Sequence, residues 1–325
     1  MMTAVALSPT EQEVLLTAAT AAPSIHNTQP WTFHFSDGTI EVRADRSRQL
    51  THVDPAGRNL LISCGAALLN LRVAIEHLGY HSDVHLLPDP ADPDRLALVR
   101  LVPGRSRHGM VGAMLDAIPM RHTNRWPFED RAVPDSVMSS LREAASAEGA
   151  FMHVVTDAFE RSRIVDLLHI GELERDLDPT LAAEAAQWTG VEADRSDGVP
   201  GYALGPLAAD PNAATRDLRR GKPVPGRARE HYESAPLLGV LQTRSDDPEN
   251  WLIAGQALQR VLLTATIEGL ATSFVNQAIE QPSLRWLVRD PADPPGHAQM
   301  VVRFGYGTQG PPTPRRPLSD VRDGT

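Results

Sequence analysis

Two arginines flank a hydroxyl residue in the segment RHTNRWPF, which runs from Arg121 to Phe128. Arg121 and Arg125 are four residues apart with Thr123 between them, so on a helix end or a tight turn both guanidinium groups can converge on one anion. Arginine suits this task because its planar guanidinium holds phosphate oxygens with two parallel hydrogen bonds. A solvated charged turn would have the same spacing, and spacing alone leaves both interpretations open.

A second basic pair, Arg315 and Arg316, lies near the C-terminus in the segment PTPRRPL. Arginines in a terminal tail are usually solvated. This pair follows the last predicted strand and its glycine-rich exit, so the tail could return both side chains to the anion expected at Arg121 and Arg125.

The third candidate is the polar connection AAPSIHNTQPW, from Ala21 to Trp31. Ser24, His26 and Asn27 lie between two prolines, after an amphipathic helical pattern and before an alternating strand pattern. Polar side chains on a rigid loop between packed elements are suited to hydrogen-bond the edge of a planar polar ligand. Turn formation by itself would also explain the prolines and Asn27.

Other motifs in the chain do not predict chemistry. GYGTQG, from Gly305 to Gly310, matches the dinucleotide pattern G-x-G-x-x-G, but the prolines that follow prevent a helix from beginning where a pyrophosphate would bind. The sequence contains no H-E-x-x-H, G-x-S-x-G or Walker-type motif, and we predict no metal site. The single cysteine, Cys64, lies in an apolar helical run and is expected to be a buried hydrophobe.

The composition restricts the class of partner. The 325-residue chain has 31 Lys and Arg against 41 Asp and Glu, a formal net charge of −10. Non-specific binding to nucleic acid or to a membrane surface requires clustered positive charge, which an acidic chain does not favour. No basic stretch leads into an apolar N-terminal core, and no window reaches the roughly 20 apolar residues of a membrane span, so we expect a cytoplasmic protein.

The elements that would position these residues occur twice. Asp54 to Tyr80 reads DPAGRNLLISCGAALLNLRVAIEHLGY, and Asp247 to Leu270 reads DPENWLIAGQALQRVLLTATIEGL. Each begins with Asp-Pro, continues as a long apolar helix, ends at a glycine and is followed by a connection and a strand, in which Arg100 aligns with Arg303. We predict two copies of one α+β unit, fused and packed as an intramolecular pseudo-dimer.

The two copies differ in the segments that carry polar chemistry. The polar loop belongs only to the first copy, and RHTNRWPF precedes only the second. We assign residues 1–108 to a first half and residues 109–325 to a second. The stretch from about 190 to 236 is rich in proline, glycine and charge and is too long for an ordinary connection, so it is an inserted lid or, alternatively, a mobile surface loop.

Together these segments resemble the nitroreductase-like family of FMN flavoproteins. The family's R-x-[ST]-x-[RK] segment is matched by Arg121, Thr123 and Arg125, and its P-S-x-x-N-x-Q-P-W segment by residues 23–31. Family members are usually homodimers with FMN at the interface. Here each motif occurs once and in a different half of one chain, which is similar to the Acg-type subgroup, whose single chain mimics the dimer and holds one FMN.

The resemblance implies the α+β nitroreductase-like fold and a role for each matched residue. The residues implied as phosphate and ribityl contacts are Arg121, Thr123 and Arg125. The residues implied as further phosphate partners are Arg315 and Arg316. The residues implied as contacts to the isoalloxazine ring from the other half are Ser24, His26 and Asn27.

The function implied by the resemblance is FMN-dependent transfer of electrons from NAD(P)H to an unknown small-molecule acceptor. No side chain is assigned as acid or base, because the flavin carries the chemistry. The alternative is a flavin-binding or flavin-sequestering protein without turnover, in which a closed lid keeps the nicotinamide from the ring. Because the fused halves remove the usual reason to dimerise, we expect a monomer.

Overall fold

The computed structural model describes residues 6–36, 38–104, 109–218, 226–289 and 296–322. Its α-helices are α1 (Pro9–Thr20), α2 (Arg58–His77), α3 (Met110–Ala117), α4 (Asp135–Ser146), α5 (Ala158–Leu177), α6 (Pro179–Trp188), α7 (Pro248–Ile267), α8 (Gln277–Glu280), α9 (Pro282–Arg285) and α10 (Leu318–Val321). Its strands are β1 (Trp31–Ser36), β2 (Thr39–Ala44), β3 (Tyr80–Leu86), β4 (Arg95–Pro103), β5 (Phe151–Val155), β6 (Thr189–Val191), β7 (Val199–Pro200), β8 (Leu207–Ala208), β9 (Arg229–Glu230), β10 (Leu237–Thr243), β11 (Ala271–Phe274) and β12 (His297–Gly305).

The main helices begin and end at the local signals present in the sequence. Ser8 and Glu11 form a capping box at the start of α1, each side chain accepting a hydrogen bond from the other residue's backbone N–H. At the start of α7 the side chain of Asp247 accepts a hydrogen bond from the backbone N–H of Asn250, without the reciprocal bond of a capping box. Gly79 and Gly269, both with positive φ, lie just beyond the C-terminal ends of α2 and α7.

Two four-stranded antiparallel sheets have the same strand order. The first is β1-β2-β4-β3, and the second, taken from its opposite edge, is β5-β10-β12-β11. In each sheet a long helix, α2 or α7, precedes the last two strands along the chain. The repeated order confirms the predicted fusion of two α+β units into a pseudo-dimer. The predicted boundary after residue 108 adjoins residues 105–108, which lie outside the described residues.

The two long helices pack against each other at the centre of the molecule. A Cβ built on Gly65 would lie 2.3 Å from the carbonyl oxygen of Leu252, so the helices approach more closely than any larger side chain would allow. Gln259 Nε2 donates a buried hydrogen bond to Asn70 Oδ1 across the same interface, at 2.7 Å. Each helix also packs on the sheet of its own half, so the hydrophobic cores of the two halves are in contact through α2 and α7.

Helix α2 is not uniformly apolar, but contrary to the sequence expectation its length and its mean hydropathy of 1.3 would allow it to cross a membrane. In the fold, however, 83% of its apolar window is buried against neighbouring elements, as in a core helix. Cys64 lies in this helix and is fully buried, which confirms its predicted role as a core residue. Burial also raises the pKa of its thiol, so the group is protonated and unreactive near neutral pH.

The two halves differ most in the connection between their first two strands. In the first half only residues 37 and 38 separate β1 from β2, whereas residues 156–236 separate the equivalent strands β5 and β10. We call residues 156–236 the insertion. It begins earlier than the stretch 190–236 noted in the sequence, because it also contains α5 and α6. Residues 219–225 of the insertion lie outside the described residues.

Candidate functional site

A cavity lies between the two halves and beside the insertion, and it encloses about 1060 Å³ including the space at its mouth. The first half contributes the loop 23–27 and the start of α2. The second half contributes residues 121–123 and 125, the exit of β11 and the C-terminal tail, and the insertion contributes residues 199, 215, 216 and 218. A pocket built from segments so far apart in sequence, with polar groups converging on it, is a typical small-molecule site.

Seven of the eight residues proposed from the sequence line this one cavity. They are Ser24, His26, Asn27, Arg121, Thr123, Arg125 and Arg315. The structure does not bring the eighth, Arg316, to the cavity. Its guanidinium donates to Gln29 O at 3.0 Å and to Asp320 O at 2.7 Å and lies 3.4 Å from Asp45, so it fastens the tail to the first half.

Arg121 is a buried cation whose hydrogen-bonding capacity is mostly unused. Its Nη2 donates to Ala21 O at 3.3 Å, while Nε and Nη1 have no hydrogen-bond partner among the described residues. Burial, and then the neighbouring Arg315, lower its pKa to about 9. An unpaired buried guanidinium is unfavourable, so an anion that reached Nε and Nη1 would stabilise this side chain.

Arg315 reaches across from the tail to the C-terminal end of α1. Its Nε donates to Thr20 O at 2.7 Å and its Nη2 to Ala21 O at 3.1 Å, so it satisfies carbonyl groups that the helix leaves open. Arg121 and Arg315 therefore share Ala21 O as an acceptor. Burial lowers the pKa of Arg315 to about 10. Two positive charges thus lie side by side at this end of the cavity.

Arg125 faces different neighbours. Its Nη1 donates to Ala203 O of the insertion at 2.9 Å, and burial followed by the charge of Arg216 lowers its pKa to about 10. Arg216 in turn forms a two-pronged ion pair with Glu280, at 2.7 and 2.6 Å. The basic residues of the cavity therefore form two groups, Arg121 with Arg315 and Arg125 with Arg216.

The backbone explains why Arg121 and Arg125 do not converge. Residues 121–125 are not helical, and Thr123 pairs with Thr272 as an isolated parallel β-bridge. Four residues of extended chain span roughly 13 Å, against about 6 Å along a helix. The helix end or tight turn considered for this segment is therefore absent from residues 121–125, and each arginine meets its own set of neighbours.

The polar loop holds several segments together. Asn27 Nδ2 donates to Gly198 O of the insertion at 2.9 Å and to Pro314 O of the tail at 3.0 Å, and its Oδ1 accepts from Arg315 Nη1. Ser24 Oγ accepts from the backbone N–H of Gln29. The polar atoms of Asn27 and Ser24 thus have protein partners, which agrees with the alternative of turn formation.

His26 is the exception in the polar loop. It has a φ of 46°, is 7% exposed, and its Nε2 has no hydrogen-bond partner among the described residues. Burial, and then the positive charge of Arg216, lower its pKa to about 3, so the ring is neutral. A neutral imidazole with an unpaired nitrogen in the cavity wall can hydrogen-bond a polar ligand.

Several lining residues were not identified from the sequence. They are Asn59, Ser63, Thr215, Arg216, Ser273, Asn276 and Glu280. Arg216 lies within the insertion and Glu280 follows β11, and no spacing relation connects them. Their convergence depends on how the insertion folds back on the second half, so the sequence contains no signal for it.

The insertion is fastened over the first-half wall of the cavity. Gln29 Nε2 donates to Ser196 O at 2.9 Å, and Arg48 pairs with Asp197. Tyr202 Oη also donates to Pro312 O of the tail at 3.1 Å. The stretch 196–203 is therefore held to the first half and to the C-terminal tail by hydrogen bonds and an ion pair.

Known proteins resemble the chain over nearly its whole length, although no protein-family model matches it. The Mycobacterium tuberculosis protein named "Putative NAD(P)H nitroreductase acg" is 33% identical over 309 residues, covering 93% of this chain and 92% of the relative. An uncharacterized protein of the same organism is also 33% identical, covering 93% and 90%. Among solved structures, the FMN-dependent nitroreductase NfnB from Mycobacterium smegmatis in complex with NADPH is 20% identical with a TM-score of 0.40, covering 67% of this chain and 100% of that one.

Proposed function

The chain belongs to the nitroreductase-like family, in its Acg-type subgroup, and from this premise we propose that the cavity binds one FMN and that the protein is an FMN-dependent NAD(P)H oxidoreductase. The observation that carries the proposal is the buried guanidinium of Arg121, which has two unpaired nitrogens beside a second cation, Arg315. A phosphate dianion matches two adjacent positive charges, and arginine is the residue best suited to hold it.

The rest of the cavity supports the same ligand. Four arginines line it against one carboxylate, that of Glu280, so the wall favours an anion. We assign the phosphate to Arg121 and Arg315, with Thr123 beside them. We assign the ribityl chain and the ring edge to Arg125, and the first-half wall of the ring to Ser24, His26 and Asn27.

Bound FMN would supply hydride and electron transfer, and the residues of this chain would bind and orient it. Arg125 places a positive charge away from the phosphate end, and neutral His26 provides a hydrogen-bonding nitrogen without adding charge. NAD(P)H as electron donor and a small molecule as acceptor are part of the proposal. No residue is assigned as a catalytic acid or base.

A second candidate function is supported by the hydrogen bonds of the stretch 196–203. If the insertion acts as a closed lid, the protein binds FMN without turnover, because a nicotinamide ring cannot stack within hydride-transfer distance. The bonds from Gln29 and Asn27 to this stretch favour a closed arrangement. A lid that opens would permit turnover.

The experiment is anaerobic mixing of the FMN-loaded protein with NADH or NADPH while the absorbance of oxidised flavin is followed. Rapid bleaching supports the oxidoreductase. No bleaching, with photoreduction of the bound flavin still possible, supports the closed binding protein. If the purified protein is colourless and takes up no FMN, both proposals fail.

The proposed arrangement has consequences for the whole molecule. We propose that the site lies between the halves 1–108 and 109–325, so one chain builds the complete cavity and functions as a monomer. We also propose that it works in the cytoplasm. Size-exclusion chromatography with light scattering at several protein concentrations tests the monomer, since a dimer would double the measured mass.

A further inference from the structure

Arg303 lies in β12, outside the cavity wall, and is one of the most deeply buried charges in the described part of the chain. Its side chain is 1% exposed. Its Nη1 contacts Glu233 Oε1 at 2.9 Å and its Nη2 donates to Trp126 O at 2.8 Å. The guanidinium also lies over the ring of Phe128, 4.1 Å from its centroid, in cation–π geometry.

The partners of Arg303 extend to the backbone of Arg125. Glu233 Oε2 accepts from the backbone N–H of Phe128 at 3.0 Å. The adjacent residue, Tyr232, lies 5.1 Å from the guanidinium of Arg303, and its Oη donates to Arg125 O at 2.7 Å. One buried cation thus connects, through two neighbouring residues of the insertion, to the backbone of a cavity arginine.

The carbonyl of Arg125 is enclosed from the other side as well. Gly205 has a φ of +69°, and a Cβ built on it would lie 2.2 Å from Arg125 O. Arg227 Nε donates to Gly205 O at 2.7 Å, which holds this glycine in place. The position of the Arg125 backbone is therefore determined by insertion residues on two sides.

The repeat provides a comparison within the molecule. Arg100 aligns with Arg303 and occupies the corresponding strand of the first sheet, yet its side chain is 58% exposed and lies 3.8 Å from Asp83. The first half has no segment equivalent to residues 121–128. The buried arginine thus occurs only in the half that carries the cavity cations.

We infer that Arg303 is a positioning residue for the cavity and that it acts through Glu233 and Tyr232 to hold Arg125 in place. This inference rests on the proposed FMN site. According to this inference, Tyr232 and Glu233 at the end of the insertion help to position a residue that binds the cofactor. Loss of the Tyr232 hydroxyl removes one hydrogen bond from the Arg125 carbonyl, and loss of Arg303 removes the cation–π contact with Tyr232 and the hydrogen bond to Trp126 O.

The test is a double-mutant cycle on the FMN dissociation constant, measured by fluorescence quenching. Y232F removes only one hydroxyl and should raise the constant about fivefold, as expected for one hydrogen bond. The effect should disappear in an R125M background and persist in full in an R121M background, because coupling is confined to residues in one network. R303M/E233Q, which removes both charges together, should show the same dependence on Arg125.

The inference would be overturned if the effects of Y232F and of R303M/E233Q on the FMN dissociation constant added to those of R125M as they do to those of R121M. It would also be overturned if Y232F or R303M/E233Q alone left the dissociation constant unchanged. E148Q is the control, because Glu148 forms a buried ion-pair cluster with Arg72 and Arg260 and does not line the cavity. It should lower the melting temperature and leave FMN affinity unchanged. If the wild-type protein binds no FMN, the proposed function fails first, and the inference fails with it.

Discussion

Gly65 of α2 and Gly255 of α7 meet where the two central helices cross. A Cβ on Gly65 would lie 2.3 Å from Leu252 O, and one on Gly255 would lie 2.1 Å from Ile62 O. A side chain at either position would therefore fit only if the two backbones moved apart. The glycine pair therefore determines the distance between the halves, and the proposed FMN cavity lies against the same two helices.

Gly65→Ala should destabilise the fold by about 1–3 kcal/mol, because an added methyl group in a packed interface forces the helices apart. Chemical denaturation in urea measures the change. Gly112→Ala is the matched control, since a Cβ at this helical glycine of α3 meets no atom within 4 Å. It should be neutral or stabilising by about 0.5–1 kcal/mol. Equal denaturation midpoints for Gly65→Ala and the wild type would contradict the tight crossing.

Arg121→Met should weaken FMN binding at least tenfold, because charge-assisted hydrogen bonds are worth about 1.5–3 kcal/mol each and two nitrogens of this group are unpaired. Removing an unpaired buried charge should also leave the stability of the FMN-free protein unchanged or raised. The measurements are FMN titration and urea denaturation of the same two proteins.

Arg72→Met is the control for this prediction. Arg72 is a partly buried arginine that, unlike Arg121, is paired with a carboxylate, that of Glu148, and does not line the cavity. It should lose stability and keep its FMN affinity, the opposite pattern to Arg121→Met. Equal FMN affinities for Arg121→Met and the wild type would remove the assignment of the phosphate to this side chain.

Arg216→Met should destabilise the fold by about 3–5 kcal/mol, because it leaves the buried carboxylate of Glu280 without its counter-charge. Arg216 holds the pKa of Glu280 below its usual value although burial acts in the opposite direction. The double change Arg216→Met with Glu280→Met should cost less than the single change. Urea denaturation measures both variants. If the double variant is less stable than Arg216→Met, the role of Arg216 is not limited to neutralising the charge of Glu280.

Stability of the FMN-free protein should fall as the pH falls from about 6.5 towards 3. The pKa of His26 is lowered to about 3 in the fold by burial and then by Arg216, whereas an unfolded histidine titrates near 6.5. In this window the unfolded chain binds more protons than the folded one, so the free energy of unfolding decreases by at most about 1.4 kcal/mol per pH unit for this group. The stabilising contribution is complete above pH 6.5.

His26→Gln should reduce the slope of the free energy of unfolding against pH by about 1.4 kcal/mol per pH unit between pH 6 and 4, which corresponds to one proton. The measurement is the denaturation midpoint in urea at four or five pH values for both proteins. His122, whose pKa is lowered to about 4 by burial and then by Arg121, contributes a slope of the same sign in both proteins and cancels in the comparison. Parallel pH profiles for the two proteins would contradict the burial of a neutral His26.

The sequence by itself determined the architecture of this protein. Caps such as Ser8 with Glu11, helix-ending glycines such as Gly79, and the long apolar patterns of α2 and α7 act over a few residues, so they can be recognised without a fold. The same holds for the duplication and for the three segments that supply seven of the cavity residues.

Only the tertiary structure decided how those residues are used. Arg316 and Asn27 are engaged by protein partners, Arg121 and Arg125 belong to different groups of charges, and Arg216 meets Glu280 in the cavity wall. The Asn27 side chain and Gly198 O, which are hydrogen-bonded, are 171 residues apart in sequence. Contacts over such separations depend on the path of the whole chain and leave no periodic or spacing pattern, so sequence reasoning identifies the charged segments but not their partners.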